Sequence, residues 1–249
     1  MSVVLSQDRG AVRVLTMNRP EKRNALNTAL TQALLDALRA ADADNAVSCV
    51  VLTGAGQGFC AGADLSEFKD LTPEKQHLVE ARAELTMQLH LAFTRMEKPV
   101  LTAINGAAMG GGAGLALAGD MALMAAQASI GYPETRHGIV AAIVMANLTR
   151  QAGRKAAFEL VALGEPIGAE KALALGMVNH VVPDGALMSE ALAIAGKLAA
   201  VSRPAMAATK RLFHEAADLP LAEALARGRE TNKRMRAFRK GAPAQRKPE

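Results

Sequence analysis

Two short segments constrain this chain more than anything else in it: Phe59-Cys60-Ala61-Gly62-Ala63-Asp64 and Asn105-Gly106-Ala107-Ala108-Met109-Gly110-Gly111-Gly112. Each follows an apolar run of buried-strand type, Cys49-Val50-Val51-Leu52-Thr53 before the first and Val100-Leu101-Thr102-Ala103-Ile104 before the second. A strand that empties into Gly and Ala leaves main-chain N–H groups uncovered, so a ligand oxygen can approach the backbone directly. The second segment opens onto Ala113–Ala118, which predicts a helix and puts the N–H groups at the positive end of its dipole. Two such donors aimed at one point form an oxyanion hole, which stabilises charge developing on a carbonyl oxygen. Tight strand–helix packing needs small residues equally well.

The first half of the chain alternates periods. Val12–Met17 predicts a strand, Thr28–Ala41 a helix, Cys49–Thr53 a strand, Arg82–Arg95 a helix ending before Pro99, and Met121–Ala125 a strand. Such alternation argues α/β. Beyond about Arg136 strand signals nearly vanish, and Ala156–Leu163, Ala169–Leu175, Ala186–Ala200 and Pro204–Ala217 all predict helices. Gly54-Ala55-Gly56-Gln57-Gly58 imitates a dinucleotide-binding loop, but Phe59 stands where that fingerprint needs glycine and no helix opens there.

A length of 249 residues suits one domain, or one domain with a helical appendage. Half the residues are hydrophobic but only 3% are aromatic, so the core must be aliphatic. Cys49 and Cys60 offer neither a disulfide framework nor metal-ligand spacing, and fit small buried residues in a reducing cytoplasm. The opening MSVVLSQDRG lacks a basic region followed by an apolar run, and no apolar stretch approaches a membrane span. A cytoplasmic protein without membrane contact is expected. The charge of +5 is concentrated from Arg227 onward, through Arg229, Lys233, Arg234, Arg236, Arg239, Lys240, Arg246 and Lys247. A solvated helix with a frayed tail accounts for most of it. With only Phe238 interleaved, no platform for nucleic acid is expected.

Nucleophilic-serine, zinc-protease and phosphate-loop motifs are absent, and none of the five histidines (His77, His90, His137, His180, His214) pairs at ligand spacing. Glu134 is the leading acid–base candidate. It follows Gly131-Tyr132-Pro133 in an otherwise mostly apolar neighbourhood, where an inward carboxylate would be desolvated and its pKa raised. An exposed turn glutamate is the competing reading. Asp64 is placed to cap a helix beginning near Leu65.

FCAGADL, then INGAAMGGGAGLALAGD, then GYPETRHGI resemble the enoyl-CoA hydratase/isomerase (crotonase) superfamily, and NRPEKRNAL and LGEPIGAEKALALGMVNHVV agree with it in order. The resemblance implies a spiral of ββα turns followed by trimerisation helices, with a core over residues 1–195 and a helical region with a basic tail over 196–249. It implies a homotrimer or dimer of trimers acting on an acyl-CoA thioester with no further cofactor and no metal, as in fatty acid metabolism. Glu134 matches the family's catalytic glutamate, Ala61 and Gly111 its two oxyanion donors, and Ala61, Gly62, Ala63, Asp64, Leu65 and Gly111 its coenzyme A-binding positions.

One departure stands out. Family hydratases often carry a second glutamate two positions after the glycine triplet, where this chain has Gly114, and Val140–Val144 replaces the usual Pro-Gly-x-Gly-Gly-Thr stretch. His137, three residues after Glu134, is the candidate second acid. A single carboxylate fits a proton-shuttling isomerase as well as a hydratase, and predicts slow hydration of simple straight-chain 2-enoyl-CoA. Gly114→Glu is then expected to raise hydration. A non-catalytic coenzyme A- or RNA-binding homologue is the alternative from another class.

Overall fold

The computed structural model describes residues 2–235, so the tail residues from Arg236 to Lys247, with Phe238, lie outside it. β1 (Val4–Arg9) and β2 (Val12–Met17) form a hairpin turning at Gly10. α1 (Thr28–Ala43) follows, its first turn capped by Asn27, whose side chain accepts from the Leu30 N–H at 2.9 Å. Three long-strand, short-strand turns come next. They are β3 (Cys49–Gly54) with β4 (Gly58–Cys60) and then α2 (Gln76–Arg95); β5 (Val100–Ile104) with β6 (Ala107–Met109) and α3 (Gly111–Ala118); and β7 (Met121–Ala125) with β8 (Ser129–Gly131) and α4 (Met145–Leu163).

The long strands join a six-stranded sheet in the order β1-β2-β3-β5-β7-β10, parallel except for the hairpin, where β10 is His180–Val182. The short strands join a second sheet, β4-β6-β8-β9, where β9 is Ile167–Gly168. Each turn of chain thus adds one strand to each sheet, which is the expected α/β spiral.

The core is aliphatic. Leu30, Leu34, Leu35 and Leu38 of α1 are buried, as are all of β3 and β5. Burial of each such leucine is worth about 1.5–3 kcal/mol. After α5 (Ala169–Ala174) and β10, α6 (Leu187–Ala199) lays Leu187, Ala191 and Ala195 into the core against β3 and β5. The expected boundary at 195 falls inside α6, and α7 (Arg203–Ala217) and α8 (Leu221–Met235) follow it. A buried ion pair ties α7 to the core: Lys210 Nζ lies 2.7 Å from Asp120 Oδ2, and His214 Nε2 lies 3.0 Å from Oδ1 of the same carboxylate. Between α7 and α8 runs an apolar groove with Leu212, Phe213 and Met235 on its walls.

The structure departs from the sequence reading at β1, at the short strands, and after Arg136, where β9 and β10 both occur. β1 exposes every residue but Val4 and so carries no apolar alternation. The others have two or three residues each, too few to show a period. α2 begins at Gln76 rather than Arg82, and α4 begins at Met145 but breaks at Gly153, where φ is +74°. Among the described residues, no single helix is long and apolar enough to cross a membrane.

Candidate active site

The first loop is built against the segment Arg19–Leu26. Asn24 is fully buried, and its Nδ2 donates to the carbonyls of Ala55 and Gly58 at 2.9 Å each. Leu26 pairs with Ala63 in a parallel bridge: the Leu26 N–H donates to Gly62 at 2.7 Å, and the Asp64 N–H donates back to Leu26 at 3.1 Å. One end of the loop is locked by Asp64, whose Oδ2 lies 2.9 Å from the Arg19 guanidinium while Oδ1 accepts from Ser66 N–H and Oγ. The Ser66 hydrogen bonds and the Arg19 charge hold Asp64 below the usual carboxylate range, against the effect of burial. Asp64 does cap the short 3-10 helix Leu65–Glu67, but both of its oxygens are committed to the protein. Leu65, 56% exposed, is the apolar lip beside it.

This pairing corrects the expected donor. The N–H of Ala61 is spent on the Arg23 carbonyl at 2.9 Å. In a parallel bridge the paired residue's own N–H faces away from its partner strand, and the N–H of Ala63 has no hydrogen-bond partner among the described residues. The free donor of the first loop is therefore Ala63, two residues beyond Ala61.

The second loop meets the first at close range. Gly62 has φ of +90°, and a Cβ there would stand 2.7 Å from the Met109 carbonyl, so only glycine lets the loops touch. Gly111 opens α3, and its N–H is likewise without a partner among the described residues. A Cβ built on Gly111 would lie 3.9 Å from the Ala63 nitrogen, which sets the two free donors side by side at a helix N-terminus.

Glu134 stands on a 3-10 helix, Pro133–His137, that follows β8. Its Oε1 is 2.6 Å from where a Cβ on Gly110 would sit, so the Gly110 backbone, at φ +50°, makes room for the carboxylate. Its Oε2 is buried with no hydrogen-bond partner among the described residues. Burial raises the Glu134 pKa, opposed by a backbone hydrogen bond and, least, by the charge of His137. Beneath it Tyr132 is fully buried with its hydroxyl unpartnered, and burial together with the Glu134 charge pushes that hydroxyl up.

His137 closes the same 3-10 helix as Glu134 and is exposed, near enough for its charge to act on that carboxylate. One further expectation changes. Gly114 is not an empty position: a Cβ there would run into the Val144 side chain and lie 2.9 Å from Cε1 of His90. A glutamate has no room to enter, so Gly114→Glu is expected to disrupt α3 rather than raise hydration. His90, which the sequence marks only by its lack of ligand spacing, sits in a helix, α2, that shows no motif. Cys60 and Cys49 are buried thiols pushed up to about 12, far from a nucleophile's range. Among the described residues, no cluster of His, Cys, Asp and Glu is placed to hold a metal ion.

Two free backbone donors, Ala63 exposed and Gly111 half-buried, thus stand at a helix start near the half-buried Glu134 carboxylate, an arrangement able to hold a carbonyl oxygen and move a proton. The enoyl-CoA hydratase/isomerase family model matches residues 7–242. A putative enoyl-CoA hydratase of Thermus thermophilus is 40% identical over 213 residues, covering 83% of this chain and 81% of its own. The mevalonyl-coenzyme A hydratase of Beauveria bassiana is 40% identical over 206 residues, covering 80% and 74%. The crystal structure of an enoyl-CoA hydratase from Mycobacterium smegmatis superposes with a TM-score of 0.89 at 32% identity, covering 98% of this chain and 93% of that one. The chain belongs to the enoyl-CoA hydratase/isomerase family and is an enzyme of that family.

Proposed function

We propose that the enzyme adds water to a 2-enoyl-CoA thioester through an enolate. The thioester oxygen is held by the N–H groups of Ala63 and Gly111, and Glu134 moves the proton. The observation that carries this reading is the placement of Glu134: an unpartnered carboxylate oxygen against Gly110, at the start of the helix whose first N–H is free. Glu134 takes a proton from water as the water oxygen bonds to the β-carbon, and returns it to the α-carbon as the enolate collapses. Raised by burial, its pKa lies closer to the operating pH, which favours a group that must both take and give a proton.

Isomerisation of a 3-enoyl to a 2-enoyl thioester is the second reading, favoured by the absence of another carboxylate at Gly114. A substrate carrying its own polar group suits this site better than a plain chain, and the name of the mevalonyl-coenzyme A hydratase points the same way. The groove between α7 and α8 supports a homotrimer or dimer of trimers, and a cytoplasmic location goes with the acyl-CoA substrate. Incubation with a panel of 2- and 3-enoyl-CoA thioesters, read by mass spectrometry, tests the proposal. Gain of one water, faster on polar chains than on crotonyl-CoA and below roughly 10³ s⁻¹ on the latter, is expected. Positional isomers without any hydrated product would replace the first reading by the second. Sedimentation as a stable monomer at micromolar concentration would contradict the oligomer.

A further inference from the structure

His90 is 9% exposed, and both of its ring nitrogens are buried without a hydrogen-bond partner among the described residues. A neutral imidazole carries one donor and one acceptor. Leaving each unanswered costs free energy that a leucine filling the same space would not. The ring is not at a random place in the core. Its Cε1 stands 2.9 Å from a Cβ position on Gly114, while Oε1 of Glu134 stands 2.6 Å from the corresponding position on Gly110. Gly110 and Gly114 are joined by a backbone hydrogen bond of 2.9 Å. Gly110 caps α3 and Gly114 lies one turn inside it, so an unpartnered carboxylate oxygen at the helix start and an unpartnered buried imidazole one turn on both pack against this stretch, with Val144 beside the imidazole.

We propose that His90 is the second polar group of the reaction site and holds, with Glu134, the water that adds to the substrate's β-carbon. This rests on the hydration reading above. A buried water needs two to four polar partners, and the Glu134 carboxylate and a His90 ring nitrogen provide two. Glu134 takes one proton from the water as its oxygen bonds to the β-carbon. The π electrons pass to the thioester oxygen at Ala63 and Gly111, and Glu134 then delivers that proton to the α-carbon. The other O–H of the water donates to His90 throughout and stays with the product as its β-hydroxyl, so His90 gains no proton. Burial pushes the His90 pKa down to about 4, which keeps its acceptor lone pair available at neutral pH.

Water addition and enolate formation can be measured separately. In His90→Leu, hydration kcat is expected to fall by roughly 10²-fold, the scale of a misplaced reactant. Exchange of the α-hydrogens of a saturated acyl-CoA in D₂O, which needs only Glu134 and the two N–H groups, stays near the wild-type rate. His90→Gln recovers part of the hydration. In the unmutated protein, the His90 ring ¹⁵N signals shift on binding a 3-hydroxyacyl-CoA and not on binding its saturated analogue, a readout that decides the matter even if neither variant folds. Unchanged hydration in His90→Leu, a parallel loss of hydration and exchange, or ring nitrogens indifferent to the 3-hydroxyl would each overturn the proposal. Full exchange in Glu134→Gln would instead overturn the reading of the site on which it rests.

Discussion

Gly114→Ala places one methyl group where Val144 and His90 already meet, and its outcome follows from the geometry. The added Cβ would stand 2.7 Å from Val144 Cβ and 2.9 Å from His90 Cε1, closer than carbon atoms pack, and both neighbours are buried. Overpacking of this kind costs about 1–3 kcal/mol. Replacing glycine by alanine inside a helix returns about 1 kcal/mol. The variant should therefore be up to about 2 kcal/mol less stable than wild type. Val144→Ala alone, losing two buried methyl groups, should cost about 1.6 kcal/mol or somewhat more for the cavity. In the double variant the new methyl occupies the space the old ones left. Urea unfolding with unchanged m-values should then show a favourable coupling of about 0.5–3 kcal/mol between the two sites. If Gly114→Ala is stabilised by the whole helix-propensity gain and does not couple to Val144, the close approach of α3 to Val144 and His90 is wrong.

Three other outcomes are expected. Gly111→Pro removes one free N–H at the first position of α3, where proline is tolerated, and should raise the barrier by about 3–4 kcal/mol with little change in substrate affinity; steady-state kinetics with wild-type turnover would mean that this N–H does not face the thioester. Asp64→Ala leaves the Arg19 guanidinium, 14% exposed, unpaired beneath the first loop and should cost about 3 kcal/mol, read as a lowered urea midpoint, whereas an unchanged midpoint would reduce the pair to a surface contact. His90, depressed from 6.5 to about 4, takes up its proton only in the unfolded chain across that window, so stability falls as pH drops from 6.5 toward 4, by as much as about 3 kcal/mol. His90→Leu should flatten that part of the stability–pH curve, and a curve unaltered by the substitution would show that His90 is protonated in the folded protein.

The α/β class, the long strands and α1 were legible because their residues carry a period that burial enforces: Leu30, Leu34 and Leu38 recur on one helix face, and β3 and β5 are unbroken apolar runs. The short strands were not, because Gly58–Cys60 and Ala107–Met109 owe their place to backbone pairing, which leaves no mark on side-chain polarity. The two loops and Glu134 were legible as motifs, but the identity of the free donor was not. Whether Ala61 or Ala63 presents its N–H depends on the register of the bridge to Leu26, a contact between segments far apart in the chain. His90 and Gly114 share that difficulty. A histidine inside an amphipathic helix resembles any core histidine, and Gly114 looks like a lost side chain until Val144 and His90 are found filling its space.

The central claim is that Glu134 moves the proton in a site where Ala63 and Gly111 hold the thioester oxygen, and Glu134→Gln tests it most directly. The amide preserves the shape of the side chain and removes the exchangeable proton site. Turnover on whichever enoyl-CoA the wild type hydrates best should fall by roughly 10²–10⁴-fold, while the dissociation constant for a saturated acyl-CoA stays unchanged. Wild-type turnover in a folded variant with normal binding would contradict the account.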